Sequence, residues 1–457
     1  MRSLSFKKET SQVGIPRLII FSIWICCTLL AFDFKGQESG GLYQIISYST
    51  ACIILATNAF IISTATKNYP SRKLQYSFFC IILYLTTTFF TATVQNVPIR
   101  NYGVVVSPYI LMLLAYWLIM SLCRRYGPIL TAQTVLPALI TATVLSTAWT
   151  FFYGFSQPES DLGSVRYRIV SVLLPFALAY LMSAAASRSL NTPNKFFAAA
   201  VLGILLISQT RSYILVVLLS LLLGTYGHSK NLTSWFKQLK KITIISLITI
   251  IFSLLFIQLV EISLPSKGGP GLFEMWTNRL FGSSDQYGFD LTTASRLAEY
   301  NNQMEKLFSS PFNMLVGNGL GSPYTYSGMY ADLVASILGN DAIPDGYWNG
   351  GHSIWVYTLY SGGLLFGFAF ICLLIYWAYL SMSSLKNAHK IKNLSERHIL
   401  VTIASGFLCI LSTGFTGFPL GSRPAAFLMG VLIALVIGFR YSTFRSKKSH
   451  YPLPSKN

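Results

Sequence analysis

The chain has 457 residues, of which 53% are hydrophobic and 11% are charged, whereas an ordinary soluble domain carries roughly 25% charged residues. The mean hydropathy of +0.53 excludes a string of soluble domains and places the chain in the polytopic membrane class. The formal net charge is +19, so its distribution must decide between nucleic acid as a partner and a membrane topology signal.

Apolar segments follow one another along the chain with lengths suited to membrane helices, which need about 20 residues to cross the hydrocarbon. Lipid cannot satisfy free backbone N–H and C=O groups, which favours helices throughout. The sequence predicts an all-α polytopic membrane protein, a single membrane domain over residues 1–457 with about twelve transmembrane helices. The predicted spans are 15–32, 43–65, 74–93, 103–122, 129–152, 169–187, 195–210, 211–227, 241–261, 353–381, 398–413 and 424–440.

Lysine and arginine concentrate in alternate connections between these spans. One set of connections, which includes both termini, carries 24 of the 34 bases and only two acids, and the other carries 10 bases and 13 acids. Basic residues are retained on the cytoplasmic side, so this split predicts cytoplasmic N- and C-termini. It also places the large loop 262–352, between spans nine and ten, outside, which is the periplasm for a bacterial inner membrane protein. The positive charge is therefore mostly a topology signal and argues against nucleic acid as a partner.

The loop 262–352 reads as a soluble segment inside an otherwise apolar chain. It holds eight of the fifteen acids and two glycine-rich stretches, 266–271 and 317–321. Its many aromatic residues are atypical of a disordered linker. We expect a folded extramembrane loop with short helices that carries the chemistry.

Arginines on the outer side run against the topology rule and need a physical reason. Each one alone is equally well explained as a solvated charge or an interfacial anchor. Arg211 stands out because it lies in a long apolar run with no acid nearby in the sequence. A converging set of guanidinium groups would suit a lipid diphosphate, since each forms paired bonds to phosphate oxygens. The candidates are Arg166, Arg168, Arg211, Arg279, Arg296 and Arg423.

His352 is the single histidine that the topology places outside, and it follows Gly350 and Gly351 where the loop re-enters the membrane. A neutral imidazole there could act as a general base, and the competing interpretation is a packed interfacial histidine. Tyr347 and Trp348, just before it, could stack on a sugar or belong to the interfacial aromatic belt. The sequence shows no metal-ligand motif and no phosphate-binding loop, so we expect neither a metal nor a cofactor. The seven cysteines avoid the loop, which argues against disulfides there.

Several short segments, in this order, resemble those of the O-antigen ligase and polymerase superfamily of inner-membrane glycosyltransferases. They cover roughly residues 160–440, leaving the first five spans supported by topology alone. His352-Ser353 with Gly363 eleven residues after the histidine is similar to the family's His-Asn/Ser/Gln-x9-Gly-x-x-Gly/Thr/Tyr motif, although Phe366 occupies its last position and Gly367 follows. The other matching segments are Ser208-Gln209-Thr210-Arg211-Ser212, Ser295-Arg296-Leu297, Ser310-Pro311-Phe312 and Gly317-Asn318-Gly319-Leu320-Gly321.

The resemblance implies a metal-independent transfer of a glycan from undecaprenyl diphosphate to an acceptor hydroxyl on the periplasmic face. His352 would be the general base, and Arg211 and Arg296 would hold the diphosphate. Arg279, Arg166, Arg168, Arg423, Tyr347 and Trp348 would be weaker contacts to the diphosphate or glycan. The implied partners are the lipid-linked glycan donor, a lipid A-core acceptor and membrane lipid.

Four functions remain open at this point. The first is a ligase onto lipid A-core, and the second is the sister repeat-unit polymerase, whose acceptor is another lipid-linked glycan. A polysaccharide transporter without chemistry is the third, disfavoured because transporters usually place charges at the bilayer midplane. A protein O-glycosylating relative is the fourth, although such proteins often carry extra sequence.

Overall fold

The structure, a computed structural model, describes residues 14–33, 41–64, 72–156, 169–187, 189, 191–208, 211–244, 251, 291–338, 350–415 and 417–448. Within these ranges it consists of helices and connecting turns, with no β-sheet. Seven described helices are long and apolar enough to cross a membrane, and four further apolar helices are shorter. The chain is therefore an all-helical, multi-pass membrane protein.

The helices alternate with short connections through most of the described chain. Residues 232–244 are also helical. The labelled helices are α1 (Arg17–Ala31), α2 (Leu42–Thr64), α3 (Arg72–Val94), α4 (Ile99–Tyr126), α5 (Pro128–Ser156), α6 (Leu174–Ala186), α7 (Thr192–Ser208), α8 (Arg211–His228), α9 (Leu291–Phe308), α10 (Pro311–Val316), α11 (Met329–Leu338), α12 (Ile354–Gly362), α13 (Phe368–Ala388), α14 (Leu394–Ser412) and α15 (Arg423–Lys448).

Eleven of the twelve predicted spans coincide with helices, and the ninth, 241–261, lies mostly outside the described residues. The predicted span 353–381 overlaps the apolar helical stretch Ile354–Ala388, but this stretch is not one continuous α-helix. It divides at Gly363 into α12, a π-helical turn Gly363–Gly367 and α13. Gly363 takes a φ of +65°, in the left-handed region that glycine enters without steric cost. Apolar length indicated the span but carried no information about this break.

Helices α4 and α15 form the centre of the membrane domain. The spanning part of α15 is 83% buried inside the protein. A Cβ at Gly430 would overlap the backbone carbonyl of Met112, so the small residue allows the two helices to approach closely. In contrast, α2 and α3 expose large apolar side chains such as Ile53, Phe60 and Phe90, as expected for a lipid-facing surface.

Helices α8 and α14 run in opposite directions and define two ends of the molecule. Near one end, His228 of α8 and His398 of α14 both contact Ser183. At the other end, α14 continues into the 3₁₀ turn Thr413–Phe415, which contacts α8 and α12. We call this second end the site end, because Ser353, next to His352, donates to the carbonyl of Gly414 there at 3.3 Å.

Candidate active site

His352 lies at the start of α12 and is held by one carboxylate. The Nδ1 atom of His352 is 2.5 Å from Oε2 of Glu299, and the His352 backbone N–H donates to Oε1 of the same residue at 2.9 Å. The Glu299 side chain is only 5% exposed, whereas the His352 side chain is 35% exposed. The ring is therefore oriented by Glu299 and remains partly exposed.

Glu299 comes from helix α9, where Gln303 lies one turn further along. The Nε2 atom of Gln303 donates to Oε1 of Glu299 at 2.9 Å, and Gln303 is 1% exposed. Because an ionised carboxylate only accepts hydrogen bonds, the contact with Oε2 selects the His352 tautomer that donates through Nδ1–H. The other ring nitrogen, Nε2, then carries a lone pair, which is the arrangement of an oriented general base.

The glycine-rich segment 317–321 packs the loop against helices of the membrane domain. Gly317, Gly319 and Gly321 all have φ near +80°, which favours glycine. A Cβ at Gly319 would overlap the backbone of α3 at Ala92, and one at Gly317 would overlap the backbone at Ser361. The segment is also tied to α12 by backbone bonds, so these glycines allow direct contact between backbones.

The two glycine-containing motifs meet each other in the structure. A Cβ at Gly363 would overlap the carbonyl of Leu315 and lie 2.5 Å from the backbone nitrogen of Gly317. The backbone N–H groups of Asn318 and Gly319 donate to carbonyls in the last turn of α12, both at 2.9 Å. Gly363, eleven residues after His352, therefore allows the close contact between α12 and the glycine-rich segment. This contact helps to place α9 beside His352.

Buried hydroxyl and amino groups fix the segment that follows these glycines. Tyr324, fully buried, donates to the carbonyl of Gly350 at 2.7 Å, two residues before His352. Burial, together with the charge of nearby Glu299, raises the pKa of the Tyr324 hydroxyl, so it remains a donor. Lys306 donates to the carbonyl of Pro323 at 2.8 Å, and burial lowers the pKa of its amino group. The surroundings of His352 are thus rigidly supported.

Arg296 lies on the same helix as Glu299, three residues earlier, where side chains share a face. It is half-buried, and within the described residues it makes no ion pair at 4 Å or less. The fold therefore places Arg296 one turn before Glu299, in the neighbourhood of the His352–Glu299 pair, a convergence that the sequence had left open.

Arg211 is the first residue of α8. Because α8 runs opposite to α14, its first turn lies at the site end, close to the Thr413–Phe415 turn that contacts α12. The backbone therefore places Arg211 and His352 at the same end of the molecule.

Arg423 has a different environment from the other candidates. Its Nε lies 2.8 Å from Oδ2 of Asp33, its Nη2 lies 3.2 Å from Oδ1, and its Nη1 donates to the carbonyl of Gln44 at 3.4 Å. The guanidinium thus joins α15 to Asp33, just after α1, and to the first turn of α2, and this contact accounts for the position of Arg423 without a ligand. The remaining sequence candidates lie outside the described residues: Arg166, Arg168, Arg279, Tyr347 and Trp348.

Sequence reasoning missed Glu299, which it counted only among the acids of the loop. The signal was its spacing: Arg296, Glu299 and Gln303 recur at three and four residues on an amphipathic helix. The sequence does not indicate that Glu299 pairs with His352, because 53 residues separate the two.

Within the described residues, no group of three or more His, Cys, Asp or Glu side chains is placed to hold a metal ion. No family model matches the chain, and no curated protein matches it. The fold defines the class as an all-helical membrane protein, and any function must be argued from the site.

Proposed function

We propose that this protein is a membrane glycosyltransferase that moves a glycan from undecaprenyl diphosphate to an acceptor hydroxyl, with lipid A-core as the acceptor. The observation that carries the proposal is the His352–Glu299 pair: a half-exposed imidazole, oriented by a buried carboxylate, at the end of an apolar helical bundle. The proposal includes about twelve spans, cytoplasmic termini and a bacterial inner membrane location with the site in the periplasm.

The proposed reaction needs one base and neutralisation of one leaving group. His352 Nε2 takes the proton of the acceptor hydroxyl as its oxygen bonds to the anomeric carbon of the glycan. The bond from that carbon to the diphosphate oxygen breaks, and undecaprenyl diphosphate leaves with the electron pair. Glu299 stabilises the imidazolium that forms. A diphosphate is a good leaving group, so positioning, charge neutralisation and the base suffice, without a metal or cofactor.

Arg296 and Arg211 are the proposed ligands of the diphosphate. Arginine forms two parallel bonds to phosphate oxygens, which orients the group as well as neutralising it. Arg296 supports this role by its position one turn before Glu299 and its freedom from an ion pair within the described part of the chain. Arg211 supports it by its backbone position at the site end. The Asp33 contact of Arg423 favours a structural role for that residue.

A repeat-unit polymerase of the same superfamily is the second candidate, because the same base and arginines would serve an acceptor that is itself lipid-linked. A deletion strain separates the two. Loss of a ligase leaves lipid-linked polymer of normal length and uncapped lipopolysaccharide on a gel, whereas loss of a polymerase leaves single repeat units on the core. If the surface glycan is unchanged and an exported solute is missing, the transporter alternative replaces both.

The topology is tested separately. Alkaline phosphatase fused after Gly288 should be active, and the same fusion after Lys237 should be inactive. The reverse pattern would place the His352 site in the cytoplasm and contradict the proposed reaction.

A further inference from the structure

An amphipathic helical stretch, residues 232–244, lies at the end of the molecule opposite to His352. Asn231 starts it: the backbone N–H of Ser234 donates to the Asn231 side chain at 2.8 Å. The helix follows α8 directly, beginning four residues after His228, which contacts Ser183 in the membrane domain. Its location is therefore fixed by the bundle.

One side of this helix is bound to the last turn of α8 and to the residue that follows it. Trp235 donates through Nε1 to Oγ1 of Thr225 at 2.9 Å, and Oγ of Ser229 lies 3.2 Å from Oε1 of Gln238. Trp235 and Gln238 are three residues apart and share a face. This contact determines which of the other sides point away from the protein.

A second side of the helix is apolar and uncovered. Leu232 and Phe236, four residues apart on one face, are 64% and 59% exposed. Together these two side chains form an apolar surface that the described part of the protein does not cover.

The third side is basic. Lys237, Lys240 and Lys241 are exposed, as is Lys230 just before the helix. The sequence contains no acid from 228 to 251, so no counter-charge lies near these amino groups along the chain. An apolar face beside a lysine face is the pattern of a helix that lies in a membrane interface.

We propose that helix 232–244 binds anionic phospholipid at the bilayer surface, with Leu232 and Phe236 at the acyl boundary and the lysines against headgroup phosphates. The occupant is a lipid because the patch adjoins the end of a membrane-crossing bundle and combines exposed apolar surface with positive charge. Each lysine contributes about five-fold to the preference for anionic over neutral lipid. This inference is independent of the proposed transferase reaction.

The test uses full-length protein in nanodiscs that range from pure phosphatidylcholine to phosphatidylglycerol mixtures, with amide hydrogen exchange of residues 231–244 as the readout. Exchange should slow as the anionic fraction rises. The Lys237→Gln/Lys240→Gln/Lys241→Gln variant should lose this dependence, which corresponds to a loss of ~100-fold in lipid preference. A Leu232→Ser/Phe236→Ser variant should exchange faster in every mixture.

The matched control removes three exposed lysines near the same end, Lys386, Lys390 and Lys392, by substitution with glutamine. It changes the net charge equally and should retain the dependence of exchange on phosphatidylglycerol. Equal exchange of the wild type in neutral and anionic discs would overturn the proposal. So would an equal loss in the control variant, since general surface charge would then explain the effect.

Discussion

Substitution of Glu299 by glutamine tests the chemistry of His352 while keeping its packing. Two donors converge on Oε1 of Glu299, the His352 backbone N–H and the Gln303 side chain, both at 2.9 Å. They force the new amide to place its oxygen there. Its NH₂ group then faces Nδ1 of His352, where Oε2 accepted at 2.5 Å. A donor at that point selects the tautomer with its proton on Nε2, so the ring cannot accept a proton from the acceptor hydroxyl.

The expected loss follows from the role of the base. General acid–base catalysis contributes about 10²–10⁴-fold, or ~3–5 kcal/mol at 1.36 kcal/mol per factor of ten. The equivalent Asp-to-Asn change in a Ser-His-Asp triad lowers kcat by about 10⁴ through the same tautomer effect. We therefore expect Glu299→Gln to lower kcat by ~10²–10⁴-fold. Affinity for the lipid-linked donor should change little, because both proposed diphosphate ligands remain.

The assay is glycan transfer by the purified variant in detergent, with its thermal unfolding midpoint measured beside the wild type. Glu299→Asp is the matched control: it keeps the charge but withdraws the carboxylate by one methylene, and should give an intermediate rate. A Glu299→Gln rate within about threefold of wild type, at an unchanged midpoint, would refute the base assignment, given the 10²-fold minimum expected.

The other predictions concern the arginines, the buried ion pair and the glycine contacts. Arg211→Lys and Arg296→Lys should each lose much of the activity and weaken donor binding while the protein stays in the membrane, because lysine offers a point charge without the guanidinium fork; unchanged donor affinity would count against both. Asp33→Asn should lower the free energy of unfolding by ~3 kcal/mol, since it removes the buried negative charge that balances Arg423, while the folded fraction keeps its transfer rate. Gly319→Ala should destabilise the protein by at least ~1–3 kcal/mol, because its φ of +84° and the adjacent α3 backbone exclude a Cβ; an unchanged unfolding midpoint would contradict the described seating of the loop.

The membrane architecture was predictable because it depends on local properties. Apolar length alone located α2, α4 and α15, since each helix must satisfy its own backbone in lipid. The break at Gly363 was not predictable from length, because it depends on the contact with Leu315 and Gly317 from a distant segment.

The site was predictable only in part for the same reason. His352 and Arg296 could be selected from their position in a polar loop between apolar spans. The pairing of His352 with Glu299 depends on the glycine-rich segment, which packs on α12 and so places α9 beside His352. Such tertiary contacts are not visible in the local sequence. Arg423 was selected from the sequence as a possible ligand of the diphosphate. The structure instead pairs it with Asp33, which is distant in the chain and close in space.

The most direct test of the account is transfer from undecaprenyl-diphosphate-linked glycan by purified protein in detergent, comparing the wild type with His352→Ala in the presence of EDTA. We predict that the wild type transfers glycan despite the chelator. His352→Ala should lose ~10²–10⁴-fold in rate while retaining its fold, because the ring is partly exposed. Wild-type rates for His352→Ala, or activity that EDTA abolishes and Mg²⁺ or Mn²⁺ restores, would contradict it.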